Sequence, residues 1–387
     1  MEQILVFLKH WIVSLLPAAG QPIGSAALSV LPIMAVFPLL FAITTILERK
    51  GLGRMQNRLG PNRVGPYGFL QPIADGIKSL TKEDIVPRAA DQWVHFLAPV
   101  VLVIPVFLAF SVVPYGKYLI PIDLDAGVLF FFAVGSATEM AVFMAGWSSR
   151  NKYSLFGAMR AIAQMISYEI PLMLSAVPVL MMVGSLSTVK IVEAQSDYTN
   201  WWPHWYVLTP WGFVGFVLFL IAATAEANRS PFDIPEGESE IVAGYFLEYS
   251  GFKFALFFLG EYLGMFATSA LGITLFLGGW TAPLSFLSWI PSYGWFFAKL
   301  VGLICLFIWV RGTLPRLRMD QLMNFAWKFM LPMALINIAV AGCWHFMAPG
   351  WQRWLVTALM ILTPYVLLGR SLATGKNLGR RRYRFAE

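Results

Sequence analysis

The sequence predicts an all-α membrane protein, a polytopic bundle of about nine transmembrane helices, with eight as the alternative count. Two observations point there. Of 387 residues, 58% are hydrophobic and 13% charged, whereas a soluble globule is roughly half apolar and about a quarter charged. The apolar residues also fall in long runs interrupted by Pro and Gly, not in the short alternating segments of barrel strands. Residues 1–387 therefore read as a single transmembrane domain.

Taken in order, residues 1–20 hold an apolar run at 4–16 that is too short to span, carries Lys9 and His10, and lacks a basic leading segment. That predicts an interfacial N-terminal helix, not a cleaved signal peptide. A span needs about 20 apolar residues. The runs that reach or approach this length are 26–47, 94–114, 126–147, 155–184, 206–225, 252–277, 295–309, 329–346 and 351–368.

Between the first two runs lies a loop, 48–93, long enough to expect structure or function of its own. Phe69, Leu70, Ile73, Ile77 and Leu80 share one helical face, which predicts a short amphipathic helix at the membrane surface. GPNRVGP at 60–66 is turn chemistry. Arg49, Arg54, Arg58 and Arg63, set among Gly and Pro, suit a docking face for a soluble partner or a polar channel mouth, while Lys78 and Lys82 suit anionic lipid.

Charge gives the orientation. All of the 28 Lys and Arg residues except Lys9, Lys117, Lys190, Lys299 and Arg353 fall in the odd-numbered loops or the basic tail, 369–387. The positive-inside rule then predicts an N-terminus outside and a cytoplasmic C-terminus. The net charge of +7 is explained in the same way, without nucleic acid.

On the cytoplasmic side this leaves an anomaly, the loop 226–251. It sets Glu226, Asp233, Glu236, Glu238, Glu240 and Glu248 against one base, Arg229. Acids just after Pro235 would suit the positive end of a helix dipole. Crowded acids beside a membrane also disfavour one another's ionisation and couple their titrations, as a proton relay needs. Glu139, Glu169 and Glu261 favour the relay, because they lie well inside apolar runs where an unpartnered carboxylate costs about 3 kcal/mol. Arg160, Gln164 and Tyr168 form a polar stripe at four-residue spacing on the fourth run, facing the same path.

Other chemistry is poorly supported. Cys305 and Cys343 lie in apolar runs and cannot supply the clusters that iron–sulfur or zinc sites require. His10, His95, His204 and His345 are isolated near span ends and read as interfacial. GLG at 51–53 lacks the third glycine of a dinucleotide fingerprint. A free-standing ion exchanger would use the same carboxylates, but no inverted repeat is visible.

Four motifs in order, ERKGLGRMQNRLGPNRVGPYGFLQPIADGIKSLTKED, NKYSLFGAMRAIAQMISYEIPL, AEANRSPFDIPEGESEIVAGYFLEYSG and RGTLPRLRMDQLMNFAWKFMLP, closely resemble the H-type membrane subunits of bacterial NADH:quinone oxidoreductase, respiratory complex I. These are equivalent to mitochondrial NADH dehydrogenase subunit 1. The similarity runs from about residue 33 to about 332, and the basic tail departs from the shorter mitochondrial form. The resemblance implies a heel subunit joining a hydrophilic redox arm to the membrane arm and forming a chamber for quinone. It implies iron–sulfur clusters, FMN and NADH in partner subunits, and no redox cofactor in this chain, which would be inactive alone. Carried over by motif, a proton path would use Glu139, Glu169, Glu226, Glu236, Glu238 and Glu261. A quinone channel would be bordered by Arg49, Arg58, Phe232, Phe258, Tyr262 and Arg311. The expected partners are the hydrophilic quinone-site subunits, the small membrane subunits next to the antiporter-like arm, quinone and lipid. The alternative is the equivalent anchor of a membrane-bound hydrogenase or ferredoxin:quinone complex.

Overall fold

The computed structural model describes residues 21–234 and 243–373, with 7, 9, 11–15 and 17. Most of the N-terminal stretch, Glu236, Glu238 and the tail beyond 373 lie outside the described residues.

Helices dominate. Residues Gln21–Met55 form α1, Gln71–Thr81 α2, Gln92–Phe110 α3, Gly127–Gly135 α4, Ala137–Ser148 α5, Lys152–Val183 α6 and Thr188–Glu193 α7. Residues Pro210–Glu226 form α8, Gly251–Phe276 α9, Ser292–Thr313 α10, Met319–Phe325 α11, Leu331–Phe346 α12 and Trp351–Ala373 α13. Among the described residues, eight helices or stacked helix pairs are long and apolar enough to cross a membrane. The nine runs resolve into these eight plus α8, which has 17 residues, or about 26 Å at 1.5 Å rise per residue.

Two boundaries differ from the hydropathy reading, and both matter for the site. The helix α1 continues to Met55, well past the apolar run, so Glu48 to Arg54 are helical and not loop. Hydropathy marks where oil ends, while the backbone ladder continues wherever the residues allow it. The third run is two helices, α4 and α5, joined at Ser136. A π-helical turn, Ala326–Met330, links α11 to α12.

Close approach of the helices follows from small residues at the crossings. At Gly215 of α8 a β-carbon would stand 3.1 Å from the Phe276 ring of α9, and at Gly157 of α6 one would come 2.7 Å from the backbone of Gly244. The second contact lays the later part of the acidic loop directly on α6, where Ser154 Oγ donates to Tyr245 O at 2.9 Å. Around these crossings the core holds Phe37, Phe110, Leu172, Phe219, Phe266 and Phe276.

At the end away from the acidic loop, α9 stops at Phe276 and carbonyls of the turn that follows it point to one cation. Lys299 Nζ donates to Leu277 O at 2.7 Å, Gly279 O at 2.8 Å and Thr281 O at 2.7 Å, and sits 4.1 Å from the centre of the Trp205 ring. Lys299→Met is expected to leave these carbonyls unsatisfied and to cost about 3 kcal/mol, within the range for hydrogen bonds to charged groups. A lower thermal midpoint for the assembled protein would show this, and an unchanged midpoint would exclude it.

Candidate functional site

Ser136, at the α4–α5 break, sets the first pair of acids. Its Oγ lies 3.1 Å from Phe132 O and within hydrogen-bond distance of Glu169 Oε1. Glu139, in the first turn of α5, faces Glu169 of α6 closely enough for their charges to act on each other. Two like charges this close repel, and one proton on the pair relieves the repulsion.

Glu226 closes α8 opposite this break. A β-carbon at Gly135 would stand 4.0 Å from Glu226 Oε1, and the charges of Glu169 and Glu139 both reach Glu226. Its Oε2 is buried without a hydrogen-bond partner among the described residues, a condition native proteins seldom leave unanswered. Glu226 also lines a cavity of about 60 Å³, with Thr138, Asn228, Tyr245, Glu261 and Thr268 around it. A water needs roughly 10–15 Å³ of such space and two to four polar partners. The cavity has room and partners for several. On its far side, Tyr245 OH donates to Glu261 Oε1 at 2.7 Å.

Beyond Glu261 lies a buried ion knot centred on Glu48, which is 5% exposed. Its carboxylate accepts from Arg311 Nη1, from Tyr262 OH, and from Arg229 Nη1 at 3.5 Å. The Arg229 guanidinium lies 3.7 Å from the centre of the Tyr262 ring, a cation–π contact strengthened by exclusion of water. The charge of Glu261 also acts on Arg229, so this arginine stands electrostatically between Glu48 and Glu261. The polar groups thus run in sequence from Glu139 and Glu169 through Glu226 and the cavity to Glu261, and by Arg229 to Glu48.

The polar stripe on α6 has a different task from the one its spacing suggests. Gln164 is fully buried, and its Nε2 donates to Ala225 O and Phe232 O, both at 2.7 Å. Tyr168 OH donates to Leu322 O at 3.0 Å, and its ring packs 5.4 Å from that of Phe232. Gln164 and Tyr168 tie the start of the acidic loop and α11 to α6; they hold backbone in place of lining a path. His95 also departs from expectation: it is buried, stacked 3.9 Å from Tyr249, because the chain before α9 covers the first turn of α3.

The remaining residues read from sequence are distributed as follows. Tyr262 and Arg311 meet at Glu48. Phe232 packs on Tyr168 and faces a separate, larger cavity of about 840 Å³. Phe258 packs 5.6 Å from Phe246 and 4.8 Å from Phe254. Arg49 Nη1 pairs with Asp75 Oδ2 of α2 at 2.6 Å, and Arg58 is exposed, with Nε donating to Gln56 Oε1 at 2.7 Å. Sequence reasoning missed Glu48, Ser136, Asn228 and Tyr245. For Glu48 the signal was present: an acid directly after an apolar run, followed by Arg49 and Lys50, with helical residues continuing beyond it.

Comparison with known proteins follows the same lines. A family profile described as NADH dehydrogenase matches residues 28–342. The H subunit of the NADH-quinone oxidoreductase from Dehalococcoides mccartyi strain CBDB1 is 52% identical over 303 residues, 78% of this chain and 82% of that protein. The proteins of the same name from Burkholderia vietnamiensis and Geobacillus kaustophilus are 46% identical over 82% of this chain and 48% identical over 78% of it, covering 91% and 89% of their own lengths. With a profile match over most of its length and relatives near half identical over most of theirs, the chain belongs to the NADH dehydrogenase family.

Proposed function

We propose that this multi-pass membrane protein is the heel subunit of a proton-translocating NADH-quinone oxidoreductase, and that its buried acids link quinone reduction to proton movement. The observation that supports this best is the row of buried polar groups from Glu48 to Glu169, with Glu226 and Glu261 both lining a small cavity between its two ends. Acids this close, inside apolar helices, cannot all be ionised together, so a change at one end alters proton occupancy at the other. In this reading the protein sits in a bacterial inner membrane with the acidic loop on the cytoplasmic side, where Arg-rich segments cluster.

Reduction of a quinone to the quinol takes two electrons and two protons. The electrons belong to cofactors held by partner subunits, FMN and iron–sulfur clusters, with NADH as donor. This chain's contribution is charge. A quinone reduced beside the knot draws protons and adds transient negative charge near Arg229 and Arg311, loosening their hold on Glu48. Arg229, drawn towards the new charge, weakens its interaction with Glu261, and the altered field shifts the proton held along Glu261, Glu226 and the Glu139–Glu169 pair. Glu236 and Glu238 extend this path in our reading, and Arg49, Arg58, Phe232 and Phe258 border the approach of the quinone together with Tyr262 and Arg311.

The cavity offers a test with little risk to folding. Gly264 of α9 lines it, and a β-carbon added there meets nothing within 4 Å. Gly264→Val is expected to fill the cavity, leave assembly and quinone reduction in uncoupled membranes intact, and abolish acidification of proteoliposomes. Unchanged acidification with valine present would remove the hydrated link.

A further inference from the structure

The larger cavity, about 840 Å³, plays no part in the carboxylate series. It opens between the loop-side ends of α8 and α10 and the α11–α12 junction, with Leu220, Leu306, Val310 and Phe325 among its walls and Lys328 at its edge. Lys328 lies on the π-helical turn and is exposed. Such turns re-aim side chains and recur at functional positions. In the segment that roofs the cavity, Leu314, Pro315 and Leu317 line it, while Arg316 between them and Arg318 just beyond are exposed. Among the described residues no carboxylate lies within ion-pair distance of Lys328, Arg316 or Arg318. Among the described residues the mouth is therefore cationic, without a carboxylate paired to its bases, and the interior is mostly apolar.

We infer that this cavity is a binding site for an acidic phospholipid, one acyl chain lying between α8 and α10 and the phosphate held by Lys328 with Arg316 and Arg318. An oily slot of this volume accepts a hydrocarbon chain, and a basic pocket between transmembrane helices selects anionic head groups. A quinone tail would fit the walls, which include Phe232, one of the residues proposed to border the quinone's approach, but its uncharged ring gives the bases nothing to neutralise. Among the described acids of the proposed proton path, Glu139, Glu169, Glu226 and Glu261, none lines the site.

The test uses the assembled complex in nanodiscs containing phosphatidylglycerol or phosphatidylcholine with a photoreactive group on one acyl chain. The phosphatidylglycerol probe is expected to label peptides within 217–224 and 306–315 roughly five-fold more than the phosphatidylcholine probe, the preference one basic residue near a membrane surface provides. Lys328→Gln should abolish that preference, Lys328→Arg should retain it, and Val310→Trp should block labelling by both probes. Equal labelling by the two head groups would overturn the assignment. So would competition by a quinone but not by unlabelled phosphatidylglycerol, and so would absence of labelling, the outcome if a partner helix fills the slot.

Discussion

Glu226→Gln is expected to leave the complex assembled and to reduce coupled quinone reductase turnover by roughly 10²-fold, the lower end of what a positioned acid–base group contributes. The amide keeps the shape and the apolar contacts of Glu226 but cannot accept or release a proton. Its position makes it decisive: among the described residues it is the one acid that both feels Glu139 and Glu169 and lines the cavity shared with Glu261. Turnover measured with and without an uncoupler, alongside acidification of proteoliposomes, separates loss of coupling from loss of the protein. Full pumping by the amide variant would mean that the acids are ordinary structural groups.

Glu48→Gln should act on stability before it acts on coupling. The wild-type carboxylate is buried and faces two guanidinium groups and a phenol. Removing one partner of a buried ion pair typically costs about 3–5 kcal/mol, because the remaining charge stays desolvated. Here both Arg229 and Arg311 would lose their counter-charge, so the variant is expected to assemble poorly and to melt well below the wild type. Combining Glu48→Gln with Arg311→Gln should recover part of the loss by lowering the uncompensated charge. If the double variant were less stable than the single one, the knot would not be held by charge balance.

Much of this site was legible in the sequence, and the reasons differ by residue. Glu139, Glu169 and Glu261 stand out because an acid inside an apolar run needs a partner or water. Their mutual arrangement does not show, since hydropathy fixes which residues enter the membrane but not how each helix is rotated about its axis. The Glu139–Glu169 contact depends on the break at Ser136, where the Gly135–Ser136 pair lets the helix bend, a signal that a Gly-rich membrane sequence offers at many places. Glu48 is hidden for a different reason: hydropathy puts the edge of the helix at the edge of the apolar run, which moves a buried acid into a loop. Gln164 misleads by regularity, because a polar residue one turn from Arg160 and Tyr168 suits a hydrated stripe equally well as a clamp on the backbone of Ala225 and Phe232. Lys299 carries a local signal, a base one helix after the Gly278–Gly279 turn, where α9 leaves carbonyls exposed.

The most direct measurement is a redox-triggered infrared difference spectrum of the assembled complex, recorded for the wild type, Glu226→Gln and Glu261→Gln. If quinone reduction shifts protons along the buried acids, the wild type will show a change in carboxylic C=O absorption, and each amide will remove part of it. A spectrum without carboxyl change, or one identical in all three proteins, would contradict the coupling of these acids to the redox event.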